Sequence, residues 1–129
     1  MSTVKAANLQ NTGSGAPVFK NSSGTEIGQL AKAWVNFNGT GTVSIDDSFN
    51  VSSITDNSTG NYTINFTNAM PNAEYAVTGS VETTNATSVV VTTFGTSGNS
   101  RTTSGVRIAA SYDNIIVDAV ECSVIVFGA

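Results

Sequence analysis

The sequence predicts an all-β fold, an antiparallel β-sandwich or jelly-roll-like domain preceded by an extended N-terminal arm. Residues 31–79 form a succession of short runs in which apolar residues alternate with Ser, Thr and Asn, as half-buried strands require. This stretch has no segment with the 3.6-residue periodicity of a helix. Charged residues make up 11% of the chain, about half the usual level, and β-branched runs such as residues 89–93 favour sheet over disorder.

Eight strands separated by turns are predicted after the arm. They cover residues 32–37, 42–45, 48–55, 61–67, 74–82, 87–94, 105–112 and 115–127. The fourth strand has one large apolar face and one wet face of short polar side chains, namely Tyr62, Ile64 and Phe66 against Asn61, Thr63, Asn65 and Thr67. Turns are predicted at residues 38–41, 56–60 and 112–114, where Gly, Asn and Asp accept turn geometry. The chain length of 129 residues fits one such domain, residues 32–129.

The last predicted strand differs from the others because both of its faces are apolar near its end. Every second residue from Val120 to Val126 is apolar, and Ile125 and Phe127 make the opposite face apolar too. We therefore expect this strand to be buried on both sides, either as a central strand of one subunit or at an interface between subunits. Cys122, in the row from Val120 to Val126, is expected to be a small buried residue.

The single tryptophan, Trp34, has two interpretations. Sugars present apolar faces and rings of hydroxyls, so an exposed Trp34 with Asn36 and Asn38 beside it is a conceivable glycan platform. The favoured expectation is that Trp34 fills the domain core where the arm joins it, because a large aromatic side chain is usually well buried.

Residues 1–31 differ from the rest of the chain and are interpreted as the arm. The run from Gly13 to Pro17 interrupts any regular element, and apolar residues are scattered singly. Loops of this length are uncommon inside compact domains, so we predict an arm that attaches the domain or interlocks subunits. Its expected anchors are Val4, Leu9, Val18, Phe19, Ile27 and Leu30. A loosely held terminus is the alternative.

Four strings, in order along the chain, carry a resemblance to a known family. They are Lys32–Thr42, Asp47–Asp56, Tyr62–Thr67 and Asn72–Val77. They resemble a β-rich module of tail-fibre and other virion structural proteins of tailed phages, especially marine and cyanobacterial ones. The resemblance implies a non-enzymatic virion component that forms trimeric appendages or decorates the particle, and an N-terminal stretch that joins it to other virion proteins. It identifies no catalytic residues.

Composition argues against several classes of function. The chain has no histidine, which removes Ser-His-Asp and Cys-His catalysis and most transition-metal sites. Its net charge is −4 with five basic residues, which leaves no basic stripe for nucleic acid. The sequence shows neither the charged start and apolar run of a signal peptide nor about 18 consecutive apolar residues, so neither secretion nor membrane insertion is expected. We expect a non-enzymatic protein without a cofactor or a metal site. From the resemblance, we expect it to be made in the host cytoplasm and located in the virion.

Three functions remain open at this point. The first is a homotrimeric tail-fibre or similar appendage subunit for attachment and host adhesion. Its long polar loop at residues 95–105, with Asn99, Ser100 and Arg101, is a candidate for recognising a host surface glycan. The second is a capsid decoration, or cement, protein that straps capsomers together through its N-terminal arm. The third is a glycan-active enzyme that uses a pair of acidic residues, since some phage fibres cleave polysaccharide.

Overall fold

A computed structural model describes residues 6, 8, 10, 17–84, 89–93, 100–112 and 115–128 and places twelve strands among them. The chain divides into two compact units, Met1–Leu30 and Ala31–Ala129. In the first unit, β1 (Phe19–Lys20) and β2 (Glu26–Gly28) pair antiparallel. Asn21 organises the turn between them, because its Oδ1 accepts hydrogen bonds from the backbone N–H groups of Ser23 (3.1 Å) and Thr25 (2.9 Å).

The second unit holds the other ten strands. They are β3 (Ala33–Asn38), β4 (Ser44–Phe49), β5 (Val51–Ser58), β6 (Asn61–Phe66), β7 (Tyr75–Glu82), β8 (Val89–Thr93), β9 (Arg101–Thr102), β10 (Gly105–Tyr112), β11 (Ile115–Ile116) and β12 (Glu121–Gly128). One sheet, the four-stranded sheet, has the order β4, β3, β12, β7. The six-stranded sheet has the order β11, β10, β6, β5, and β8 and β9 pair with the other side of β10. The all-β, antiparallel sandwich prediction is confirmed.

The core lies between the inner faces of the two sheets. The central strands contribute alternate residues to it, so that in β3 the residues Ala33, Val35 and Phe37 are buried. The other buried members include Tyr62, Ile64 and Phe66 of β6, Val106, Ile108 and Ala110 of β10, and Cys122, Val124 and Val126 of β12. Edge-on aromatic contacts join the sheets, with ring centroids 5.1 Å apart for Phe37 and Tyr62 and 5.7 Å apart for Phe66 and Tyr75.

The chain passes from one sheet to the other through a single residue, Asn50, between β4 and β5. Asn50 has φ of 56°, a left-handed conformation that Asn accepts more readily than most residues. Its Nδ2 donates to the carbonyls of Lys32 (3.0 Å) and Asn68 (3.2 Å), and its Oδ1 accepts from the Asn68 N–H (2.8 Å). The predicted strands at 42–45 and 48–55 were therefore misplaced, because Asn50 and not residues 46–47 separates the two strands.

The single strand predicted at 115–127 is two strands, β11 and β12, with residues 117–120 between them. Val117 donates its N–H to the Ala110 carbonyl (3.0 Å), and Val120 donates to the Glu82 carbonyl (2.8 Å). The chain thus leaves the six-stranded sheet and enters the four-stranded sheet within these residues, and an uninterrupted apolar pattern does not reveal such a crossing.

Candidate functional site

A row of large apolar side chains crosses the outer face of the four-stranded sheet. Trp34 of β3 is directly opposite Phe49 of β4 on one side and Ile125 of β12 on the other. Phe127 lies two positions further along β12, on the same face. Cross-strand neighbours of this kind lie about 5 Å apart and pack against one another. We call Phe49, Trp34, Ile125 and Phe127 the apolar row.

The apolar row is open to solvent in the single chain. Phe49 is 55% exposed, Ile125 and Phe127 are each 39% exposed, and Trp34 is half-buried. The expectation that Trp34 fills the core is therefore wrong. Because Ala33, Val35 and Phe37 point inward, the two-residue period of β3 turns Trp34 outward together with Asn36 and Asn38.

The last strand is likewise buried on one face only. β12 is central in its sheet, between β3 and β7, and its inward residues Cys122, Val124 and Val126 are buried. Its outward residues Ile125 and Phe127 are not covered by any other part of this sheet, so the predicted burial on both sides is wrong for the single chain. Together with Trp34 and Phe49 they form one exposed apolar line, and apolar residues that lie side by side are more informative than single scattered ones.

Polar groups on the same face, next to the apolar row, are already paired with one another. Asn36 donates from Nδ2 to the Glu121 carboxylate (2.9 Å) and accepts at Oδ1 from the Ser123 hydroxyl (3.0 Å). Glu121 lies opposite Glu82 of β7, and Asp47 lies opposite Asn36, so this end of the face is acidic. The amide beside Trp34 is thus engaged within the sheet itself, and the row presents mainly apolar surface.

The outer face of the six-stranded sheet is polar and has a different character. Asn65 Nδ2 lies 3.1 Å from Ser53 Oγ and 3.0 Å from Thr55 Oγ1, and Asn57 Nδ2 donates to Thr63 Oγ1 (2.9 Å). This ladder of amides and hydroxyls satisfies its own hydrogen bonds across β5 and β6. Of the predicted wet residues, Asn61 is in fact buried, where its Oδ1 accepts from Arg107 Nε (2.8 Å).

A hydrogen-bond cluster around Tyr62 fixes the segment that leads into β12. The Tyr62 hydroxyl shares its proton between the Gly39 carbonyl (3.0 Å) and Asp118 Oδ1 (3.2 Å), and it accepts from the Ala119 N–H (3.4 Å). Asp118 Oδ1 also accepts from the Gly60 N–H (2.6 Å). Burial raises the pKa of Tyr62 well above its usual value, and the negative charge of Asp118 raises it further. The cluster therefore fixes the segment before β12 to the β5–β6 turn at Gly60 and to Gly39 at the end of β3. Because β12 carries two of the four residues of the apolar row, the cluster also helps to position the row.

The residues predicted as arm anchors are exposed where the structure describes them. Val18, Phe19, Ile27 and Leu30 are 51%, 43%, 66% and 49% exposed, whereas Val4 and Leu9 lie outside the described residues. These four exposed residues belong to the segment from 17 to 30, which we call the N-terminal hairpin segment.

The predicted recognition loop is only partly described. Asn99 lies outside the described residues, Ser100 is half-buried, and its carbonyl accepts from the Arg107 N–H (2.7 Å). Arg101 is exposed and belongs to β9, where it pairs with Val106. A tight turn at residues 103–104 links this short strand to β10.

Cys122 is buried as predicted, and burial raises the pKa of its thiol to about 12. Among the described residues, no three carboxylate or thiol side chains are grouped closely enough to hold a metal ion. In the part of the chain that the structure describes, no helix has the length and apolar character that crossing a bilayer requires.

Sequence reasoning missed the apolar row as a unit, although it named most of its members. The signal that could have revealed it is the two-residue alternation of β3, because the inward residues on either side of Trp34 require Trp34 to face outward.

Comparison with family models, curated proteins and solved structures returned no match to this chain.

Proposed function

We propose that this chain is a non-enzymatic structural subunit of a phage particle, a tail-fibre or similar appendage subunit that works as a homotrimer in attachment and host adhesion. The observation that carries the proposal is the apolar row on the outer face of the four-stranded sheet, with Phe49 55% exposed. A solvent-facing apolar line on an otherwise hydroxyl- and amide-rich domain is typical of a surface made for assembly.

The construction of the domain supports a mechanical role. The Tyr62 cluster and the bonds of Asn50 tie the crossing segments to both sheets, so the row sits on a sheet that is braced at each end. The resemblance of the strings between Lys32 and Val77 to virion modules supplies the biological setting. Subunit association covers surface that a single small sandwich leaves in water and thereby adds stability.

Host adhesion belongs to a different part of the chain in this proposal. The polar groups beside Trp34 are paired within the sheet, so the row is poorly equipped to hydrogen-bond the hydroxyls of a glycan. Arg101, exposed on β9, is available for polar contact with a host surface glycan. Asn99 and Ser100 precede it in the sequence and complete the candidate loop.

Cryo-electron microscopy of the particles that carry this chain tests the proposal. Trimeric density on a tail appendage, identified by its side chains, is the expected result. Density distributed over the capsid surface would overturn the appendage role in favour of a decoration protein. Purified particles from which the chain is absent, by mass spectrometry as well as by density, would overturn the virion role altogether.

A further inference from the structure

Asn38 and Gly39, where β3 ends, form the only Asn-Gly pair in the chain. Packing dictates the glycine, because a Cβ at position 39 would collide with the hydroxyl and the ring of Tyr62. A glycine nitrogen has no neighbouring side chain to hinder it, so it reaches the side-chain carbonyl carbon of a preceding asparagine more easily than the nitrogen of any other residue. The fold therefore keeps a chemically labile pair at this position.

The side-chain amide of Asn38 is held in a turn that favours attack on its carbonyl carbon. Its Oδ1 accepts from the backbone N–H and from the hydroxyl of Thr40, both at 2.7 Å. The two donors face the oxygen that becomes negatively charged when a nucleophile adds to Cγ, and such donors stabilise an oxyanion. Asn38 is half-buried and Thr40 is exposed, so the turn borders solvent.

The nucleophile of such an attack, the Gly39 nitrogen, is held back by the segment that leads into β12. Its N–H donates to the Ala119 carbonyl (2.8 Å), and the Gly39 carbonyl accepts from the Tyr62 hydroxyl (3.0 Å). Gly39 and Ala119 are both buried. The nitrogen must lose its proton to attack, and a hydrogen bond to a neutral acceptor stabilises the protonated form. In the folded chain the nitrogen is therefore blocked, although the amide beside it is ready to react.

We propose that Asn38 is a self-modification site, at which the Tyr62 cluster controls the conversion of asparagine to isoaspartate. When residues 117–120 move away, the Gly39 nitrogen loses its proton to hydroxide and bonds to Asn38 Cγ. The Nδ2 group takes a proton from water and leaves as ammonia, which closes a cyclic succinimide. Water then opens the ring. Cleavage between the Gly39 nitrogen and the backbone carbonyl carbon of Asn38 gives isoaspartate, and cleavage of the new bond gives aspartate.

The isoaspartate product keeps a record that the cluster has opened. Its main chain runs through Cβ and Cγ, which lengthens the backbone before Gly39 by a methylene group. The Gly39 N–H and carbonyl are then displaced from Ala119 and Tyr62, whose positions are fixed by other parts of the two sheets. Refolding does not restore the asparagine, because ammonia has left. Each opening that reacts therefore leaves a chain with a weakened cluster.

Peptide mapping by mass spectrometry of the full-length chain, incubated at mildly alkaline pH, tests the proposal. Guanidinium chloride opens every molecule, and there we expect Asn38 to be converted faster than the other asparagines. In buffer we expect conversion to be at least about a hundredfold slower, because only the opened fraction of the chains reacts. Fragment ions of the peptide that contains position 38 distinguish isoaspartate from aspartate.

Variants of the cluster supply the second arm. Tyr62→Phe removes the donor to the Gly39 carbonyl and the acceptor of the Ala119 N–H, and we expect it to raise the conversion rate in buffer at least about tenfold. Tyr112→Phe is the matched control and should react at the rate of the unmodified chain. Asp118→Ala weakens the same cluster through another side chain, so it replaces Tyr62→Phe if that variant does not fold.

Three results would overturn the inference. Equal rates in buffer and in guanidinium chloride would mean that the fold does not control the site. An Asn38 that stays intact in guanidinium chloride while other asparagines react would mean that it is not a site of self-modification. Folded Tyr62→Phe and Asp118→Ala chains that react no faster than Tyr112→Phe would separate the reaction from the cluster. All of these measurements use purified protein, so they are independent of a role in the virion.

Discussion

Replacing Tyr62 by phenylalanine removes one hydroxyl from the centre of the domain while keeping the ring that packs on Phe37. The Gly39 carbonyl then loses its donor, the Ala119 N–H loses its acceptor, and Asp118 Oδ1 loses one of its two donors. Gly39 and Ala119 are buried, so water does not replace the lost partner. Each orphaned buried group costs about 1–3 kcal/mol, and we expect Tyr62→Phe to lower the free energy of unfolding by about 3 kcal/mol.

Urea unfolding followed by Trp34 fluorescence and by circular dichroism measures this loss. A domain of about 100 residues should also melt about 15 °C lower. Tyr112→Phe is the matched control, because the Tyr112 hydroxyl makes no hydrogen bond among the described residues; its expected effect is within about 0.5 kcal/mol. A Tyr62→Phe variant as stable as this control would refute the reasoning. A double-mutant cycle with Asp118→Asn then apportions the coupling between the two side chains.

Three further predictions concern other positions of the sandwich. Asn50→Gly accepts the φ of 56° but loses the side-chain hydrogen bonds, so we expect urea titrations to show a free energy of unfolding lower by about 1–2 kcal/mol. Asn50→Ala should lose about 1 kcal/mol more, because alanine is strained at this φ, and equal losses for the two variants would contradict a role for the backbone angle. Gly60→Ala is expected to lower the free energy of unfolding by at least about 2 kcal/mol, because the added Cβ collides with the Val117 carbonyl. Gly41 has the same φ of 63° but open space around it, so Gly41→Ala should cost only about 1 kcal/mol, and similar losses for the two variants would rule out the collision. In the unfolded state the Cys122 thiol ionises above its ordinary pKa of 9.0, whereas in the folded state burial raises the pKa to about 12. Between these two values the unfolded state binds fewer protons, so the free energy of unfolding falls as the pH rises, by up to about 1.4 kcal/mol per pH unit. Cys122→Ala should therefore show a shallower dependence of stability on pH between about pH 9 and 10, and an unchanged slope would contradict this assignment.

The fold class could be predicted because a strand with one buried face carries its period in its own residues. The alternation of Tyr62, Ile64 and Phe66 with polar residues is a local pattern, and the structure buries all three. Asn50 escaped prediction because a residue that crosses between sheets carries no periodic signal and is recognised only by its left-handed φ and its bonds to Lys32 and Asn68.

The candidate site was less accessible from sequence because it depends on register. Nothing in β3, β4 or β12 alone brings Phe49, Trp34 and Ile125 into one line; the pairing of the three strands does so. Asp118 is a similar case, since it meets Tyr62 from 56 positions away in the sequence.

The adjacency of β3 and β12 governs how the sandwich responds to a pulling force. Ala33, where β3 begins, pairs with Val126 near the end of β12, so these two strand termini lie at the same end of the four-stranded sheet. A force applied through both of them breaks the hydrogen-bonded pairs one at a time from that end, and the two strands separate at low force. A force that enters at Ala33 and leaves through β9, which pairs with the other sheet, passes through the packed interior and loads many contacts together. In the proposed appendage, we therefore expect the domain to resist tension that runs across its two sheets far better than tension between the beginning of β3 and the end of β12.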